Sequence, residues 1–479
     1  MTKLIGLALS GGGYRASLFH LGVMARLADE GELKNVQALS TVSGGSIVGA
    51  FYYKLLCEEL QKDRILSEED YRWLMKRVIS EFVAVVQEDL RDRILITGGI
   101  SRLVPEAILK RLAGAVSKVV PALNPAVLFD SKLEQGMRAL MFQHTVLSDL
   151  MVPPVHPGNV KPELIMNTSI LENGQPLFLS TNTSSVLWRY NETNHGLSAE
   201  EARHLPLSKA AAASACVPGL FDPIAIPFGD RMVHGVDGGV LDNLGGHAIQ
   251  LIKQEGMSVL VSDASKPLRL ENYSDVDSVE SFLRIQDLFM NAIRDLRVEG
   301  ANETLVDMQK DIEGINSQVR TLAMNMRTDL NSFTEVEAYS LMYIGYCACG
   351  QEMSKWKGAS TLEAKTEQVA GGNWPFMSVR SFAEAPVPEY LALLGEKSKK
   401  RHLLSNMTIS RFISLGYLLL YAAVFSYIGI HHGFYEALWY VGLIPVVIIS
   451  VGGALFIRRR VASGKRKGTV ASLFSEYPQ

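Results

Sequence analysis

The first sixty residues alternate short apolar runs with segments of helical periodicity, and glycines stand at each junction. Residues 4–9 form an apolar run that ends at Ser10-Gly11-Gly12-Gly13. Residues 14–29 carry Leu18, Leu21, Met24 and Leu27 at helical spacing, which puts them on one side of a helix. Residues 36–42 (VQALSTV) read as a second strand, and residues 46–61 as a second helix. A strand–helix–strand–helix order implies parallel strands with helices covering the sheet. The chain is therefore expected to be α/β, with a mostly parallel central sheet in three layers.

The same signals return further on. Residues 163–170 and 175–181 read as two strands around a turn at Asn173-Gly174. Residues 207–217 form a small-residue helix, and residues 257–265 another strand. Between these blocks, residues 62–150 read as a helical insertion. Within it, 94–129 is rich in apolar residues, and it reads equally as a cap touching lipid or as plain helical packing. Residues 275–318 suggest one or two amphipathic helices, and the stretch to about 390 carries no clear pattern. The expected division is 1–265 for the α/β unit, 266–395 for a mainly helical extension and 396–479 for a two-span membrane anchor with a basic cytoplasmic tail.

That terminal segment constrains location. Residues 412–430 and 438–457 carry no charge and approach the roughly 20 residues a helix needs to cross a bilayer. The competing reading is a helical hairpin buried in a soluble core. Lys397, Lys399, Lys400 and Arg401 precede the first stretch, and Arg458, Arg459, Arg460, Lys465, Arg466 and Lys467 follow the second. Positive flanks stay on the cytoplasmic side, so both ends, and everything N-terminal to the hairpin, are expected to face the cytoplasm. Tyr435, Trp439 and Tyr440 sit where interfacial aromatics belong. The opening residues do not read as a signal peptide, because their apolar run is short and ends in glycines.

A formal net charge of −3 over 479 residues argues against a nucleic-acid binder. Cys57, Cys216, Cys347 and Cys349 are too scattered for a disulfide framework and lack metal-site spacing, so they read as reduced thiols. Nothing in the sequence sets the oligomeric state.

The chemistry gathers at the glycine-bearing junctions. A nucleophilic serine needs a sharp strand-to-helix turn with small neighbours, usually Gly-x-Ser-x-Gly. Centred on Ser43, the sequence reads Thr41-Val42-Ser43-Gly44-Gly45; centred on Ser46, it reads Gly44-Gly45-Ser46-Ile47-Val48. Each frame has one mismatch. Placement favours Ser43, at the strand's end, over Ser46, a turn into the helix. The glycines at 11–13 present amides to an anion, and Arg15 adds a positive charge or a structural ion pair. The loop is not a Walker loop and is a poor dinucleotide fingerprint. Asp237, followed by Gly238 and Gly239, is the candidate base; Asp242 and Asp263 are weaker rivals, and an ordinary Asp-Gly turn is the competing reading. His247 follows Asp237 too closely for the usual hydrolase order, so His234 and His247 read as structural or solvent-facing.

Together, GGGYRA (11–16), TVSGG (41–45), SACVPGLFDPI (214–224) and DGG (237–239) resemble the patatin-like phospholipase family, which is related to the cytosolic phospholipase A2 and lysophospholipase group. The resemblance covers about residues 4–265, and 62–150 is its divergent part. It departs from the family pattern at Ala16 and Thr41, where the family has glycines. It implies a Ser43–Asp237 dyad without histidine. Gly11, Gly12, Gly13 and Gly44 then serve the oxyanion, and Arg15, Gly45, Gly238 and Gly239 support them. It implies a calcium-independent acyl-ester hydrolase acting on membrane phospholipids or lysophospholipids, without metal or cofactor. The alternatives are a thioesterase or acyltransferase with the same dyad, or a non-catalytic membrane scaffold.

Overall fold

A computed structural model describes residues 4–88, 131–228, 231–266, 268, 278–299, 303–328, 330–356 and 373–396. The opening block is β1 (Leu4–Leu9), α1 (Gly13–Asp29), β2 (Val36–Val42), α2 (Gly44–Leu60) and α3 (Glu68–Gln87). There follow β3 (Glu163–Ile170), β4 (Pro176–Ser180), α4 (Leu207–Ser214), β5 (Ile224–Phe228), β6 (Arg231–Asp237), β7 (Met257–Asp263), α5 (Ser278–Glu299), β8 (Thr304–Asp307) and α6 (Glu335–Trp356). The starts and ends read from the sequence hold closely for β1, α1, β2, β3, β4 and β7, whereas α2 begins at Gly44, directly after Ser43, rather than at Ser46, α4 ends at Ser214 rather than at 217, and 275–318, read as one or two helices, holds α5 and then β8.

The sheet has 8 strands in the order β5-β6-β3-β2-β1-β7-β8, with β4 also paired to β3. Parallel pairings are in the majority, as expected, but the sheet is mixed. The pairings β3–β2, β2–β1, β1–β7 and β7–β8 are parallel, whereas β4 and β6 run antiparallel to β3 and β5 pairs antiparallel with β6. The physical reason is local. The Asn173-Gly174 turn, with Gly174 at φ 67°, folds β4 straight back onto β3, and antiparallel neighbours need no crossover helix. β5 and β6 form a second such pair.

β5, β6, β8 and α6 have no counterpart in the sequence reading. β8 extends the parallel edge beside β7, so the sheet does not end at residue 265. α6 packs along α1 over most of its length and is buried at Val336, Leu341, Met342 and Ile344. Residues from Ile5 to Leu394 share one apolar core, so 1–265 and the described part of 266–395 pack as a unit. All four cysteines are free thiols. Among the described residues no helix is long and apolar enough to cross a membrane. The two apolar segments 412–430 and 438–457, and the apolar stretch 94–129, lie outside the described residues.

Candidate active site

β3 acts as a ruler that brings two strand ends together. β2 runs parallel to β3 and stops with Val42 opposite Asn167. β6 runs antiparallel to β3 and stops with Asp237 opposite Thr168. β4 occupies the other edge of β3 across residues 165–169, so β2 and β6 share one edge. They approach head-on along it, and the residues at their tips, Ser43 and Asp237, meet. The Ser43 side chain lies close enough to the Asp237 carboxylate to oppose the rise in its pKa. Both side chains are buried.

Ser43 sits at φ 51°, ψ −116°, and is the N-cap of α2. Only one other described non-glycine residue, Gln143, has positive φ. Such a backbone costs of order 1–3 kcal/mol and persists where surrounding structure enforces it. The enforcing contact is Gly44: a Cβ there would lie 2.1 Å from the Gly13 carbonyl oxygen. Gly45 is crowded in the same way against Leu9. The departure at Thr41 is accommodated by a glycine elsewhere, because the Thr41 methyl fills the space that a Cβ at Gly49 would take. Its hydroxyl donates to the Ile165 carbonyl at 3.0 Å. Ser46, the rival, is fully buried one turn into α2, with its hydroxyl bonded to Thr41 and Ser214.

The glycine loop lies beside the elbow. Gly12 and Gly13 have φ 136° and 56°. The four expected oxyanion amides divide. Gly11 N–H donates to the Asn243 carbonyl at 3.0 Å, so its amide is already committed to holding the loop against the Asp-Gly-Gly segment. The amides of Gly12, Gly13 and Gly44 donate to no acceptor among the described residues. Gly13 and Gly44 stand at the starts of α1 and α2, where the helix dipoles favour negative charge. Arg15 does not face this space. Its guanidinium is buried and donates to the carbonyls of Met324 (3.0 Å), Met326 (3.4 Å) and Ala264 (2.8 Å). Burial brings its pKa down to about 10. It is a strut joining the loop to residues 324–326, a contribution from the region the sequence left unread.

Asp237 Oδ1 accepts the Gly239 N–H at 2.8 Å. Burial pushes its pKa up to about 6, against the opposing pull of the hydrogen bonds from Ser43 and Gly239. Gly238 is required by close approach, since a Cβ there would lie 2.3 Å from the Asn167 carbonyl oxygen. A carboxylate shifted toward neutrality and in contact with a hydroxyl is suited to general-base work.

The rivals are occupied elsewhere. Asp242 accepts the amides of Leu244 and His247. Asp263 pairs with Arg294 and accepts the Ser265 amide. His234 bonds Glu172, and His247 packs edge-on to Phe178. A third histidine, His20, is buried near the loop, but both its nitrogens are bonded, to Ser262 and to the Ser10 carbonyl. Burial lowers its pKa to about 4.

No curated protein sequence matches the chain. Among solved structures, the chain is similar to VipD from Legionella pneumophila, at 12% identity and TM-score 0.34, covering 86% of this chain and 88% of that one. It is also similar to the type III effector protein ExoU, at 11% identity and TM-score 0.30, covering 100% of this chain and 75% of that one. At those scores neither likeness carries an argument. The patatin-like phospholipase family profile matches residues 7–247, half of the chain, from β1 through the Asp-Gly-Gly segment. On that match the chain belongs to the patatin-like phospholipase family.

Proposed function

We propose that the chain is a serine acyl-ester hydrolase of phospholipase A or lysophospholipase type, working through a Ser43–Asp237 dyad. The observation that carries this reading is the contact between a serine held at left-handed φ at a helix start and a buried carboxylate whose pKa is pushed up to about 6. Asp237 takes the hydroxyl proton as Ser43 Oγ attacks the ester carbonyl. The oxyanion that develops is met by the amides of Gly12, Gly13 and Gly44, which need no reorganisation. The carbon–oxygen bond to the leaving group breaks, and Asp237 gives that group the proton. Water then attacks the acyl-serine, with Asp237 again the base, releasing fatty acid and restoring Ser43. Every proton transfer uses the chain's own groups, so hydrolysis is proposed to be calcium-independent.

The substrate class is proposed from the family and from the apolar segments 412–430 and 438–457, read as two membrane spans with both basic flanks cytoplasmic. Such an anchor raises the local concentration of bilayer lipid at the dyad. The test is fatty-acid release from phospholipid and lysophospholipid micelles in excess EDTA. Wild-type protein is expected to release fatty acid, and Ser43→Ala and Asp237→Asn to release none. Undiminished release by both variants would contradict the reading.

A further inference from the structure

α4 ends at Ser214, which is fully buried. Its hydroxyl lies 2.6 Å from the Asn167 carbonyl oxygen, 2.7 Å from Ser46 Oγ and 3.1 Å from the Ser43 amide nitrogen. Proton counting fixes the directions. A carbonyl only accepts, so Ser214 donates to Asn167 and Thr41 donates to Ile165. The one proton of Ser46 is then shared between Thr41 Oγ1 and Ser214 Oγ. Ser214 Oγ is left to accept the Ser43 N–H. The main chain of the same residue reaches the other half of the site: the Ser214 carbonyl accepts the Gly238 N–H at 3.2 Å. Asn167, the acceptor of the Ser214 hydroxyl, is also the residue whose carbonyl packs against Gly238.

We propose that Ser214 is a positioning residue for the dyad: its hydroxyl holds the elbow that carries Ser43, and its carbonyl holds the turn that carries Asp237. The proposal rests on the hydrolase reading for its kinetic consequences and on hydrogen bonding alone for its structural ones. The Ser43 backbone is costly at its observed angles, and the bond from its amide to Ser214 is one of the contacts that keep it there. Without that acceptor the elbow relaxes and the hydroxyl withdraws from Asp237. A displacement of about 1 Å at a reacting group costs on the order of 100-fold in rate.

The experiment compares full-length wild type with Ser214→Ala, Ser214→Cys and Ser208→Ala. Ser208 is the control: it is on the same helix, is also fully buried, and its hydroxyl has no partner among the described residues. On a dispersed short-chain ester, Ser214→Ala is expected to lose roughly 10- to 100-fold in kcat with KM changed less than about 2-fold. Its acid limb should move upward, because the Ser43 bond that holds the Asp237 pKa down is weakened. Ser214→Cys, whose thiol still accepts and donates weakly, should recover part of the rate. Ser208→Ala should match wild type. Amide hydrogen exchange supplies the readout that does not depend on activity. Ser214→Ala removes the acceptor of the Ser43 amide and should accelerate exchange in peptides covering 40–47, with 235–241, which is bonded to the main chain of Ser214, changed less; Ser208→Ala should change neither. Unchanged exchange at 40–47 overturns the proposal, as does a wild-type kcat with an unmoved pH limb in Ser214→Ala. If wild type hydrolyses nothing but 40–47 still loosens in Ser214→Ala, the hydrolase reading fails and the positioning role stands.

Discussion

Replacing Asp237 with asparagine should remove activity and make the protein more stable at neutral pH. Burial lifts this carboxyl from 3.8 to about 6. At about 1.4 kcal/mol per pH unit, that shift corresponds to about 3 kcal/mol. The sign follows from proton binding. Between pH 4 and 6 the folded chain holds a proton that the unfolded chain has released, so this residue's contribution to stability falls as pH rises through that window. Above about pH 6 the full penalty of the buried charge is present. Asparagine retains an oxygen to accept the Gly239 amide and the Ser43 hydroxyl, and it carries no charge. Asp237→Asn should therefore exceed wild type by up to about 3 kcal/mol at pH 7.5, with the advantage vanishing toward pH 4. Urea midpoints of the two proteins at both pH values measure it. In parallel, kcat/KM of wild type on a dispersed ester should fall on the acid side of about pH 6 with a log slope of one. An Asp237→Asn protein less stable than wild type at pH 7.5, together with a rate independent of pH between 5 and 8, would refute the reasoning.

Three further outcomes follow from the same geometry. Ser43→Gly and Ser43→Ala should both be inactive, but Gly tolerates φ 51° and Ala does not, so Ser43→Gly should be about 1–2 kcal/mol the more stable by urea unfolding after its extra chain entropy is counted. Arg15→Met leaves three buried carbonyls unpaired and should cost about 2–4 kcal/mol in the same assay, a loss that a purely solvent-facing arginine would not produce. A chain ending near Gly395 should hydrolyse dispersed esters like the full-length protein and lose activity on phospholipid vesicles; equal activity on vesicles would remove the proposed role of the terminal segments.

The legible part of this fold was the part that repeats a local rule. Parallel strands buried on both faces, such as β1, read as continuous apolar runs, and glycines mark the turns that follow them. The Gly11–Gly13 loop, the Ser43 elbow and the Asp237 turn each sit at such a strand end, so their order along the chain survived into space. The sequence could not show how Ser43 and Asp237 meet. That depends on β6 entering head-on against β2 along β3, a long-range pairing that no local pattern specifies. The four-residue β8 is too short to carry a pattern. α6 is buried nearly all round, by α1 on one side and by β8, α3 and residues 317–324 and 375–396 on others, so its hydrophobicity has no one-sided stripe to find. The commitment of the Gly11 amide to Asn243, 232 positions away (243 − 11 = 232), is likewise a tertiary fact. Ser214 lay in plain view within a small-residue stretch, but its partners come from three other elements.

The central claim is that the hydroxyl at 43 is the nucleophile and that the carboxylate at 237 activates it. Treating full-length protein with a fluorophosphonate and mapping the adduct by peptide mass tests this directly. The account predicts one label, on Ser43, formed at a rate that collapses in Asp237→Asn. A label on Ser46 or another serine, or undiminished labelling of Ser43 in Asp237→Asn, would contradict it.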